Sequence, residues 1–196
     1  MGEAALRIIE DEFEHHDEKA ARVHIDDELV RTNVALKNVG ELQKLLVDYN
    51  LKIRTIIGYL NQKKDLESYQ KEEIKKELVA SLEKLKGGTY QFEHCLEKIN
   101  EWRKLAFKFS GPVLVEKAIG SIKKGKFEEA IENLNLLNKV IENLKKIVDS
   151  IKTYLSAYER NLKDLDKKEI WPQMLSVASS IEKFLDKIQK EVCDFI

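Results

Sequence analysis

Seven residues near the start of the chain belong to the types that hold metal ions: Glu12, His15, His16, Asp17, His24, Asp27 and Glu28. Glu12 and His15 stand in Glu-x-x-His spacing, and residues three apart on a helix project from one face, so both could reach a single metal. A di-iron carboxylate bundle needs a second such pair and two more inward glutamates. The only other histidine, His94, stands with Glu97 in the reverse order. The cluster is therefore expected to be a solvated acidic face, with Glu12, His15, His16 and His24 as the metal-ligating alternative.

Thiol chemistry fares worse. His94 and Cys95 are adjacent, and neighbours on a helix point ~100° apart, so the imidazole cannot face the thiol as its base. Cys193 is remote in sequence, and a cysteine on an apolar face is usually a small core residue. Gly87-Gly88 follows a helical stretch rather than a strand, the wrong setting for a phosphate loop. No zinc pairing and no nucleophile elbow is present. The expectation is a non-enzymatic protein with no catalytic residue and no cofactor.

Charge is the remaining signal. The chain has a net charge of −1, but its charges are unevenly placed. Met1 to Glu28 holds ten acids against three bases, net −7; Trp102 to Lys126 holds seven bases against Glu116 alone, net +6. Arg103, Lys104, Lys108, Lys117, Lys123, Lys124 and Lys126 form a candidate partner surface. Trp102, Phe107 and Phe109 raise nucleic acid or an anionic membrane surface as an alternative ligand. These aromatics fall at helical spacing on the apolar face, where a core rather than a stacking platform would put them.

The elements that must position these residues are all helical. Phe127, Leu134, Ile141, Val148, Leu155 and Leu162 recur every seven positions, as do Ala130, Leu137, Leu144, Ile151, Tyr158 and Leu165. Val140, Ile147 and Tyr154 add a third column, so this face is wide enough to touch at least two other helices. A stripe over residues 4–23 (Leu6, Ile9, Phe13, Ala20, Val23) loses phase at Asp26-Asp27. It resumes as Ile25, Val39, Leu46, Ile53 and Leu60, which predicts a break or stutter near 24–27 with Asp26 or Asp27 as N-cap. Gly40 and Gly58 inside that helix are expected to mark close helix approach, with a bend as the alternative. A shorter helix through Ile74, Leu78, Leu82 and Leu85 is expected to stop at Gly87-Gly88. Thr89 would cap the next, carrying Phe92, Leu96, Ile99, Trp102, Ala106 and Phe109 inward. Ser110-Gly111-Pro112 breaks the chain again, and Lys123-Lys124-Gly125 ends a short helix. A last helix starts at Trp171-Pro172 and carries Ile181, Phe184, Leu185, Ile188 and Val192.

Gly125-Lys126-Phe127-Glu128-Glu129-Ala130, with Ala118 seven residues before the glycine, is similar to the turn of a tetratricopeptide repeat. The likeness covers about a dozen residues, and where that family ends its second helix with proline this chain runs on. Gly87 to Glu93 is a faint second copy, short of the three stacked units such arrays need. The motif is taken as a helix–glycine–helix corner packed by Phe127 and Ala130. Subunits of vesicle-tethering complexes also join a leading coiled coil to such a corner, a generic likeness that carries no function here.

The expected fold is all-α: an elongated antiparallel helical bundle with long coiled-coil-like helices. Residues 1–24 form an acidic, weakly packed N-terminal helix, and residues 25–196 a single bundle domain. At 196 residues the chain can bury a core without staples. Two cysteines make no disulfide framework, no signal peptide is recognisable, and no apolar run approaches the ~18 residues of a membrane span. The expected setting is the cytoplasm, and the expected role is a scaffold or adaptor whose partners are proteins, a second copy of itself among them. Leu144→Ala should cost ~2–5 kcal/mol, and Asn143→Ala, off the stripe, less than ~0.5 kcal/mol. Equal losses in chemical denaturation would mean the register is wrong.

Overall fold

The computed structural model describes residues 2–15, 17–103, 111–165 and 171–193. Among these the chain forms six helices and no strand: α1 (Gly2–Glu14), α2 (Glu18–Lys63), α3 (Ser68–Arg103), α4 (Gly111–Lys123), α5 (Phe127–Lys163) and α6 (Trp171–Cys193). The fold is an all-α bundle, and none of these helices is long and apolar enough to cross a membrane. The chain divides into two compact units, Met1–Glu41 with Leu96–Phe107 and Ile147–Ile196, and Leu42–Cys95 with Lys108–Lys146.

Both heptad columns of α5, from Phe127 and Ala130 to Leu162, are buried, and so is Leu165 just beyond it. The third column, Val140, Ile147 and Tyr154, is half-buried beside them. The register read from the spacing is the register of the structure.

In the first unit α1 packs on α6. Leu6 and Ile9 are fully buried, and the Phe13 ring meets Trp171 edge-on at 6.2 Å and 77°. Ile8 on the same helix is 51% exposed, so α1 seats part of its small apolar set. The helix break falls earlier than expected. Asp17 N–H closes α1 by bonding the Glu12 carbonyl at 2.9 Å, and Asp17 Oδ1 accepts the Ala20 N–H at 3.1 Å, the geometry of an N-cap for α2. Through residues 24–27 α2 is unbroken, so neither Asp26 nor Asp27 caps it. The phase holds there because the buried columns are Ala21, Glu28, Ala35, Leu42 and Tyr49, and Thr32, Val39, Leu46, Ile53 and Leu60. Two core positions carry polar residues, which hid the continuity of the stripe.

In the second unit α3 runs straight through Gly87-Gly88. Neither glycine takes the positive φ that would stop the helix. Gly88 instead makes room: a Cβ there would lie 3.0 Å from Tyr49 Cε2, and the Tyr49 hydroxyl donates to the Leu85 carbonyl on the same helix. Gly40 and Gly58, expected at close approaches, have no neighbouring atom within 4 Å of a Cβ.

The α4–α5 corner forms as expected. Gly125 (φ 74°) donates to the Ile122 carbonyl and Lys126 N–H to the Ser121 carbonyl, each at 2.9 Å, a Schellman turn. Lys126 then offers its own carbonyl to Ala130 at 3.2 Å as α5 begins. Pro112 lies in the first turn of α4 and Pro172 in that of α6, where a missing N–H costs nothing.

Gly40→Ala and Gly58→Ala should each raise stability by ~0.5–1 kcal/mol, since alanine is the better helix former and meets nothing. Gly88→Ala should fall short of both in thermal or urea melts, because its methyl crowds a ring that is anchored by its hydroxyl.

Candidate functional site

The N-terminal acid and histidine cluster does not converge. His15 turns back along α1, its Nδ1 2.8 Å from the Asp11 carbonyl and 3.4 Å from Asp11 Oδ1. That carbonyl, and then the Asp11 charge, hold the imidazole pKa above its ordinary value. Glu12 instead reaches across to α2, with Oε1 3.1 Å from His24 Nε2. The Glu-x-x-His pair of the sequence therefore serves two different partners, and Glu12 Oε2 is buried with no hydrogen-bond partner among the described residues. His16 lies outside the described residues. Among those described, no three His, Cys, Asp or Glu side chains are grouped to hold a metal ion.

Of the basic segment, Arg103 is the last residue of α3, and Lys104 and Lys108 lie outside the described residues. Lys117 and Lys123 are exposed on α4, and Lys124 and Lys126 on the corner that follows. The segment's one acid, Glu116, is taken by Lys86 of α3 at 2.6 Å. That bond holds the carboxyl below its usual range and raises the amine. The structure adds two lysines that the sequence does not connect with this segment. Lys71 Nζ stands 5.4 Å from the centroid of the Phe127 ring, and Lys75 Nζ lies 3.5 Å from where a Cβ on Gly125 would be.

Polar groups also enter the core. In the first unit Glu28, 2% exposed, accepts the Tyr158 hydroxyl at 3.3 Å across the α2–α5 contact. Burial, and then the Glu28 carboxylate, push the phenol pKa well up. One turn along α2, Thr32 is fully buried and its Oγ1 has no partner among the described residues. On the surface of the second unit, by contrast, Glu142 of α5 accepts Arg54 Nη2 of α2 at 2.8 Å and Asn138 Nδ2 at 3.1 Å. Arg54 is the main cause of that carboxyl's lowered pKa.

Among the described residues, two hollows border these side chains. One, of about 310 Å³, belongs to the first unit, where Phe13, Arg22 and Leu29 face Leu162 and Lys163. Since Glu28 also meets Tyr158, the start of α2 faces the end of α5 and the two run antiparallel there. The other, of about 510 Å³, is an open groove between α2 and α3 in the second unit. Leu45, Tyr49, Ile56 and Leu85 give it apolar walls, and Ser81 and Gly88 keep its α3 side low.

No family model, no curated protein and no solved structure matches this chain.

Neither the groove nor the two added lysines is visible in the sequence, because each needs the α2–α3 or α3–α5 pairing. The buried polar step was visible only as a gap: Thr32 falls where the column from Ile25 to Val39 lacks a member. Tyr158→Phe strips the donor from a buried carboxylate and should cost ~1–3 kcal/mol in chemical denaturation. Thr32→Val should be neutral or stabilising, since it removes a buried hydroxyl that nothing satisfies. Equal losses would show that the Thr32 hydroxyl is satisfied.

Proposed function

We propose that this chain is a non-enzymatic cytoplasmic scaffold that holds protein partners, and that one of them lies as an amphipathic helix in the α2–α3 groove. The groove carries the reading. Its α2 wall is spaced 45, 48, 49, 52, 56 and its α3 wall 81, 84, 85, 88, so it follows both helix axes for about three turns, ~16 Å. That shape suits a helix presenting apolar anchors at i, i+4 and i+7. Leu51, at one lip, is 65% exposed, and Val47, a turn before it on α2, is 56% exposed. Both offer apolar surface next to the groove.

Charge narrows the occupant. On the rim Lys52 is held by Asp48 at 2.6 Å, whereas Lys84 forms no ion pair among the described residues. A partner helix with a carboxylate opposite Lys84 complements that rim. A second copy of the chain is the rival occupant. The metal-binding alternative has in its favour one Glu12–His24 contact, and the nucleic-acid alternative the basic segment.

A photo-crosslinking residue at position 81 should capture a protein segment with amphipathic helical spacing and an acid, and Lys84→Glu should lower the yield. Self-crosslinks only, with a dimer mass by light scattering, would assign the groove to a second copy. A yield no higher than from an exposed position such as 152 would end the proposal. Metal analysis of the same preparation tests the alternative: one iron, zinc or manganese per chain, lost in His24→Ala, would promote it.

A further inference from the structure

We infer that the corner between α4 and α5 is a second docking surface, built from three helices, for an acidic peptide segment of a protein partner. It stands apart from the groove and can fail without it. Lys123, Lys124 and Lys126 are exposed around the Schellman turn, and the start of α3 brings Lys71 and Lys75 to the same place. Two of the five already have carboxylates: Lys126 meets Glu129 at 3.2 Å, and Lys75 pairs with Glu72. Lys123 and Lys124 have none among the described residues, and Lys71 rests over the Phe127 ring. Three ammonium groups are thus left for carboxylates from elsewhere.

Gly125 is what allows this gathering. Its positive φ closes the turn without a Cβ penalty, and Lys75 Nζ comes to 3.5 Å from where a Cβ would stand, an ordinary contact distance. The cations are fixed by a turn and a ring rather than scattered along one helix.

The carboxylates among them decide the ligand class. Glu72, Glu128 and Glu129 are all exposed beside the lysines. A duplex or an anionic bilayer presents uniform, closely spaced negative charge over a wide area, and would meet these acids as well as the lysines. A peptide with spaced carboxylates can reach the three uncommitted ammonium groups and bypass the acids. Electrostatic complementarity of this kind sets specificity and encounter rate, and it is screened by salt.

The test is fluorescence anisotropy with a labelled peptide of about 15 residues carrying glutamate at every third position, in ~50 mM salt. Saturable binding is expected, lost by ~500 mM salt. Lys124→Glu and Lys71→Glu should each weaken it by about five- to tenfold although 53 positions separate them, while Lys139→Glu on α5 leaves it unchanged. Lys71→Gln with a thermal melt guards against a folding defect from the lost ring contact. An effect of Lys124→Glu without one of Lys71→Glu overturns the three-helix corner, as does absence of saturable binding at low salt. A short duplex or an anionic vesicle binding more tightly than the peptide overturns the ligand class.

Discussion

The apolar face of α5 is the constraint from which the bundle follows. Two columns of buried side chains run its whole length, and each large aliphatic member gains ~1.5–3 kcal/mol only when something covers it. A face that broad cannot be covered by one neighbour. In the first unit the end of α5 meets α2 through Glu28 and Tyr158 and α6 through Tyr154 and Phe184, whose rings are 5.3 Å apart. In the second its start meets α3 at Lys71 and α2 at Arg54. The helices that surround α5 are long because the stripe is long.

That stripe was legible because it obeys one period without interruption. The α2 stripe obeys the same period, but two of its members are polar, and a pattern read by hydrophobicity alone breaks at Glu28 and Thr32. The physical signal was spacing rather than polarity: the positions seven before and after Glu28 are Ala21 and Ala35, both buried. Gly87-Gly88 misled for a different reason. Glycine is permissive, so a pair of them permits a helix stop without enforcing one. At Gly125 the stop is enforced by the bonds of the turn, and at Gly88 the missing side chain serves a tyrosine from another helix. Local sequence cannot separate these uses, since the deciding atom lies 39 residues away at Tyr49.

One polar contact inside the bundle, Glu28 with Tyr158, bears on the register of α2 against α5. Sliding either helix by one turn would move the Tyr158 hydroxyl away from Glu28, and in the second unit would part Arg54 from Glu142. Aliphatic columns alone tolerate such slips, because one leucine layer resembles the next. A buried carboxyl with one donor at 3.3 Å among the described residues contributes little stability, yet a slipped register would leave it buried without that partner. The antiparallel pairing of α2 with α5 is stabilised by the columns, and Glu28 with Tyr158 adds one position at which a slipped register would bury an unmet polar group.

The surface charge plays no comparable part in the fold. α1 is held through Leu6, Ile9 and Phe13, so its surplus of acids needs no basic partner to stay in place. Lys86 and Arg54 each take one carboxylate from another helix, exposed pairs of the kind that contribute ~0–1 kcal/mol. What is left over at the α4–α5 corner is a group of lysines brought together by a turn that forms for backbone reasons. Charge that the fold neither needs nor neutralises acts on what approaches from outside, through encounter and orientation rather than stability. Long matched apolar columns inside, and cations gathered at one corner outside, are the two features on which the proposed scaffold role rests.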